Sequence, residues 1–146
     1  MSIYTTKADW EYHGYEVYIQ GAPGELINHI FIREKDRAKD YKNLRLVKLG
    51  HGAAVINEQN IDYILECLEL SGNMDMPFQS GFASNDYYSE YDNVILVKGE
   101  RVAICNPYFS LHILKEDLRH ILNRAKREIK KIREKVEKQK VMKNDQ

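Results

Sequence analysis

Proline, cysteine and long apolar stretches are all scarce in this chain. Of its 146 residues, three are Pro, two are Cys and one is Trp. No apolar run approaches the length needed to cross a bilayer, and the start MSIYTTKADW lacks the basic-then-apolar order of a signal peptide. Two cysteines allow at most one bridge, too few for a disulfide scaffold. Cys67 falls in a helical pattern and Cys105 at a strand end, so each reads as a small apolar residue in a reducing, cytoplasmic setting. GxGxxG, GxxxxGK followed by Ser or Thr, HExxH and CxxC are also missing. Their absence removes the most legible nucleotide, zinc and thiol chemistries, and no cofactor or metal is expected. Lysine and arginine are missing altogether from Leu49 to Val97, against eight Asp or Glu.

That last gap makes the net charge of zero misleading. Residues 1–32 carry −3, residues 33–48 carry +4, residues 98–114 carry +1, and residues 115–146 carry +6 from twelve Lys or Arg and six acids. An acidic middle and a basic end attract each other, either within one chain or between two copies.

What is present is an ordinary soluble composition, 43% apolar and 30% charged, in a chain long enough for its own core. Tyr15, Val17 and Ile19 alternate with Glu16, Tyr18 and Gln20, the period of a half-buried strand. Gly21-Ala22-Pro23-Gly24 ends it, and a second strand over roughly Leu26 to Arg33 should pair with it antiparallel. Leu44 to Leu49 has strand character, and Ala53 to Ile56 leads into a helix capped by Asn57, with Ile61, Ile64, Leu65 and Leu68 on one face. Gly72 is placed to end that helix in a left-handed conformation. Asn93–Val97 and Arg101–Cys105 flank Lys98-Gly99-Glu100, a hairpin signature, and Phe109 to Ile113 adds a short strand. The expectation is an α+β fold with a mainly antiparallel sheet, one internal helix and a long C-terminal helix. A compact unit over 1–114 is followed by a basic helix over 115–146. No internal repeat is visible.

The terminal helix carries a heptad ridge: Leu118, Leu122, Ala125, Ile129, Ile132 and Val136 follow at spacings of four, three, four, three and four. Such a seam predicts a partner helix, most simply a second copy, so these six are the candidate oligomerisation residues; the alternative is that the whole helix lies across its own domain's sheet. The flanking row Arg119, Lys126, Arg133 and Lys140 is uniformly basic and disfavours an antiparallel pair of identical helices.

A second candidate surface is the stretch 73–92, which shows no clear period and holds Phe78, Phe82, Tyr87, Tyr88 and Tyr91. Rings among Asp86 and Glu90 suit a partner with basic and apolar patches, and Phe82, Tyr87, Tyr88, Tyr91, Asp86 and Glu90 form the candidate binding set. The leading expectation is thus a small non-enzymatic binding or regulatory protein that self-associates and recognises a protein or small molecule. This organisation is common among small accessory and regulatory proteins, including phage-encoded inhibitors. The runner-up is a nucleic-acid-binding regulator using Arg124, Arg127, Lys130 and Lys131 on phosphates. It ranks second because the cations look spread around the helix, with Arg124–Glu128, Lys130–Glu134 and Glu134–Lys138 spaced to neutralise each other. A third reading is an enzyme centred on His51, held between two glycines. His13 and His29 would approach each other if the first two strands pair, a weak hint of metal.

Overall fold

The computed structural model describes residues 5–21, 27–35, 52–73, 76–82, 93–106 and 110–144. Its fold is α+β, with two four-stranded antiparallel sheets, one internal helix and a long C-terminal helix. The order is β1 (Thr5–Tyr12), β2 (Tyr15–Gly21), β3 (Ile27–Glu34), β4 (Ala53–Ile56), α1 (Asn60–Leu70), β5 (Phe78–Phe82), β6 (Asn93–Lys98), β7 (Arg101–Cys105), β8 (Ser110–Leu114) and α2 (Lys115–Asn144). Each sheet is a meander in which strands pair in sequence order. The described residues therefore repeat one plan, four strands and then a helix, although no residue repeat accompanies it. Alternation and a 3.6-residue stripe suffice to encode each half, so the duplication leaves no sequence trace.

Strand β1 lies outside the expected set. A bulge between Thr6 and Ala8 interrupts its alternation, which hides the inward run Ala8, Trp10, Tyr12. The turn His13-Gly14 was the available signal. Both residues have positive φ, 48° and 88°, the geometry that twists a two-residue hairpin correctly. Ala53 to Ile56 is also strand, not a lead into the helix, because its Ala54 and Ile56 face the core opposite Ile32 and Ile30 of β3. The β2–β3 and β6–β7 pairings form as expected, with Gly99 at φ 59° in the second turn. The proposed strand Leu44–Leu49 lies outside the described residues.

Helix α1 starts at Asn60, later than its expected cap. Asn57 still serves that end: its Oδ1 accepts the Asn60 N–H at 3.1 Å while Asn60 Oδ1 accepts the Asn57 N–H at 3.0 Å, a reciprocal cap. The other end differs from expectation. Gly72 is not left-handed, because the chain tightens into a 3-10 turn over Ser71–Asn73 and the Ser71 hydroxyl donates to the Leu68 carbonyl at 2.8 Å.

One core joins everything. Val17, Ile19, Ile30 and Ile32 of the first sheet meet Ile95, Val97, Val102, Ile104 and Leu111 of the second, with Ile61, Ile64 and Leu68 from α1. Helix α2 contacts β1 and β2 as well as β8, and α1 contacts β5, so each helix leans on the other half's sheet. The two sheets also touch directly, the Gly52 N–H donating to the Ser110 carbonyl at 2.7 Å.

Candidate functional site

Helix α2 decides where the candidate residues go. Leu118, Leu122, Ala125 and Ile129 are 0–3% exposed within the single chain, with Ile121 widening the stripe at 0%. The first four positions of the seam are thus covered by the chain's own sheets and α1. Ile132 packs at the edge of the same core and Val136 is half-buried. Among the elements that cover the ridge is α1 of the same chain. Two residues of the basic flanking row reach the same side: Lys126 Nζ lies 2.7 Å from Asp62 Oδ1 of α1, and Arg133 bonds Glu58 just before that helix. The basic tail folds back on the acidic middle.

Those two ion pairs change how the remaining charge is distributed. At about 100° per residue, Arg124, Arg127, Lys130, Lys131, Lys135 and Lys138 fall in an outward arc of about 140°, opposite the buried ridge. Between residues 124 and 138, Glu134 shares this arc, and Glu128 and Glu137 lie about 20° outside its two edges. Arg124 is engaged, its guanidinium 4.7 Å over the Trp10 ring and 3.8 Å from Glu128. Lys131 lies 3.7 Å from the same carboxylate. Arg127, Lys130, Lys135 and Lys138 are exposed and have no ion-pair partner among the described residues. The Lys130–Glu134 and Glu134–Lys138 pairs expected from spacing do not form. Six exposed or half-exposed cations between residues 124 and 138 thus share one arc, while Lys126 and Arg133, which lie to its side, are spent on Asp62 and Glu58. Lys138 was among the cations read as able to meet phosphates, whereas Lys135 was missed; projecting the exposed cations alone onto a helical wheel would have found it.

The aromatic surface fares differently. Residues 78–82 form β5 rather than an irregular loop, and Phe82 is 4% exposed in the core. Phe82 belongs to the packing, since a strand beside β6 puts its ring on the inner face. Asp86, Tyr87, Tyr88, Glu90 and Tyr91 lie outside the described residues, as does His51.

The histidines do not assemble as a pair. His13 sits in the β1–β2 turn and His29 opposes Gln20 near the other end of the hairpin strands. His13 instead stacks on Tyr12 at 3.9 Å, while His120 of α2 stacks on the same ring at 3.9 Å. His13 Nδ1 also lies 2.8 Å from Asp117 Oδ1. This cluster pins the first hairpin to the start of α2. Beside it the Tyr15 hydroxyl donates to the His112 carbonyl at 2.7 Å, and burial, with Glu34 and Asp117 nearby, pushes its phenol up to about 12. On the outer face of the first sheet, Tyr18 and Arg33 both bond the Glu16 carboxylate and hold it below its usual range. Cys67 and Cys105 are free thiols, each pushed up by burial. Among the described residues no three His, Cys, Asp or Glu side chains converge as metal ligands, and no helix is long and apolar enough to cross a membrane. No protein-family model, curated protein or solved structure matches this chain.

Proposed function

We propose that this chain is a non-catalytic, cytoplasmic binding protein that grips a nucleic-acid phosphate backbone with the outward face of α2. The observation that carries the reading is the sorting of charge on that helix. Lys126 and Arg133 are absorbed by Asp62 and Glu58, which leaves Arg127, Lys130, Lys131, Lys135 and Lys138 facing water. From Arg127 to Lys138 this stripe rises about 17 Å, enough to follow several phosphates along one strand. Because the apolar side of α2 up to Ile129 is buried in the chain, the helix cannot use it to enter a lipid surface. A second copy of the chain is proposed as a partner only through the end of the ridge, where Val136 is half-buried and Val141 is 59% exposed.

The test is fluorescence anisotropy with labelled duplex and single-stranded oligonucleotides, titrated across ionic strength. Binding is expected at low salt, falling with a log–log slope of about −3 to −4 as counterions are released. Replacing Arg127, Lys130, Lys131, Lys135 and Lys138 with Gln should abolish it while the melting transition persists. Absence of binding at low salt, or retention by the variant, defeats the reading. Capture of an acidic protein instead of an oligonucleotide would do the same.

A further inference from the structure

The outer face of the second sheet holds a groove of ≈ 490 Å³ that crosses the strands from Pro77, at the β5 edge, to Tyr15, beyond the β8 edge. Its floor is set by strand register. Leu96, Ala103 and His112 form one cross-strand row, and Lys98, Arg101 and Leu114 form the next. This face is open to water, yet Leu96 is 37% and Leu114 52% exposed. The groove is shallow and open, and its volume and apolar floor have room for a small molecule.

Charge gives the groove a direction. Lys98 pairs directly across the hairpin from Arg101. Like charges placed opposite each other destabilise a sheet, and neither residue has an ion-pair partner among the described residues. Each is exposed, and the space between them and Leu114 faces the groove. The far end is the reverse, with Glu34 and Asp117 acting on Tyr15. An anion is therefore drawn to the hairpin end and repelled from the Tyr15 end.

We propose that this groove binds a small amphipathic anion, with a carboxylate, sulfonate or phosphate held between Lys98 and Arg101 and an apolar body lying on Leu96, Ala103 and Leu114. A sugar-rich ligand does not fit this lining, because the floor offers it few donors. An anion without an apolar body would give up the area that Leu96 and Leu114 provide. The site is separate from the α2 stripe and stands whether or not that stripe binds nucleic acid.

The probe is anilinonaphthalene sulfonate, which joins an apolar body to one anionic group and fluoresces when it is desolvated. Its uncharged analogue, phenylnaphthylamine, and inorganic phosphate supply the two halves separately. The folded protein is expected to bind the sulfonate saturably at one site, at least tenfold more tightly than either half. Lys98→Gln with Arg101→Gln should weaken it about tenfold or more, and Leu114→Asp should abolish it, with melting temperature and circular dichroism unchanged. Amide shifts in a nitrogen–proton correlation spectrum should centre on Lys98 to Arg101 and on Leu114. Equal affinity for the uncharged dye, or indifference to the double Gln substitution, overturns the proposal. The α2 Gln variant should keep dye binding, and the Lys98/Arg101 variant should keep any oligonucleotide binding, so the two readings fail separately.

Discussion

The Arg124 guanidinium lies 4.7 Å over the ring of Trp10, joining the last helix to the first strand. Trp10 is 8% exposed, and its indole Nε1 is buried with no hydrogen-bond partner among the described residues. Phe at this position would lose ring area but also remove the unpaired N–H, and burying such a donor costs about 1–3 kcal/mol. Trp10→Phe should therefore cost about 1 kcal/mol or less, whereas Trp10→Ala should cost about 3–5 kcal/mol. Urea unfolding followed by circular dichroism checks both, since the variants lose the chain's one Trp fluorophore.

The heptad ridge should prove to be core. Leu122→Ala and Ile129→Ala are expected to cost about 2–4 kcal/mol each, and Val136→Ala under about 1 kcal/mol. If the ridge served mainly a second copy, the losses at Leu122 and Ile129 would shrink as protein concentration rises. Midpoints measured over a hundredfold concentration range should instead coincide.

Glycine substitutions should separate by backbone geometry. A Cβ at Gly14, Gly72 or Gly99 meets nothing within 4 Å, so only the backbone distinguishes them. At Gly14 and Gly99, with φ of 88° and 59°, Ala should cost roughly 1–2 kcal/mol of left-handed strain. Gly72→Ala should be neutral or stabilise by about 0.4–1 kcal/mol, because it restricts only the unfolded chain. Thermal melts of the three variants give the order directly.

Two groups set the response to acid. Burial holds the His29 imidazole below its ordinary 6.5, so the unfolded chain takes up that proton first. Stability contributed by neutral His29 is therefore full above pH 6.5 and declines as pH falls through the folded value. Glu16 is held below 4.5 chiefly by the Tyr18 hydroxyl, against an opposing effect of burial and with further help from Arg33. Its contribution is full above 4.5 and is lost on further acidification. Unfolding midpoints should show both declines. His29→Gln should flatten the upper one and Glu16→Gln the lower.

Much of the fold was legible in the residues. The alternation in Tyr15–Gln20, the Lys98-Gly99-Glu100 turn and the apolar face of residues 61–68 each report a local period, which local physics can read. Strand β1 was hidden by one bulge at Thr6–Ala8, and the ridge of α2 by the fact that a heptad stripe records a contact but not whose surface supplies it. Asp62 on α1 and Glu58 just before it held the answer, but they lie 64 and 75 residues from Lys126 and Arg133, beyond the reach of any local period. The groove was the least legible. It depends on which residues of three strands fall into register, and Lys98 opposite Arg101 becomes informative only once Leu96 and Leu114 are known to share that face.

The crossed seating of the two helices has a consequence for synthesis on the ribosome. The first sheet is complete by Ile56, but part of its apolar face is covered by α2, which is made only after the second sheet. Val17, Ile19, Ile30 and Ile32 must stay sheltered in some other way until Leu118 to Ile129 emerge. A nascent chain stopped before residue 118 should therefore be a strong client for hydrophobic-binding chaperones, and release should follow within the next three helical turns.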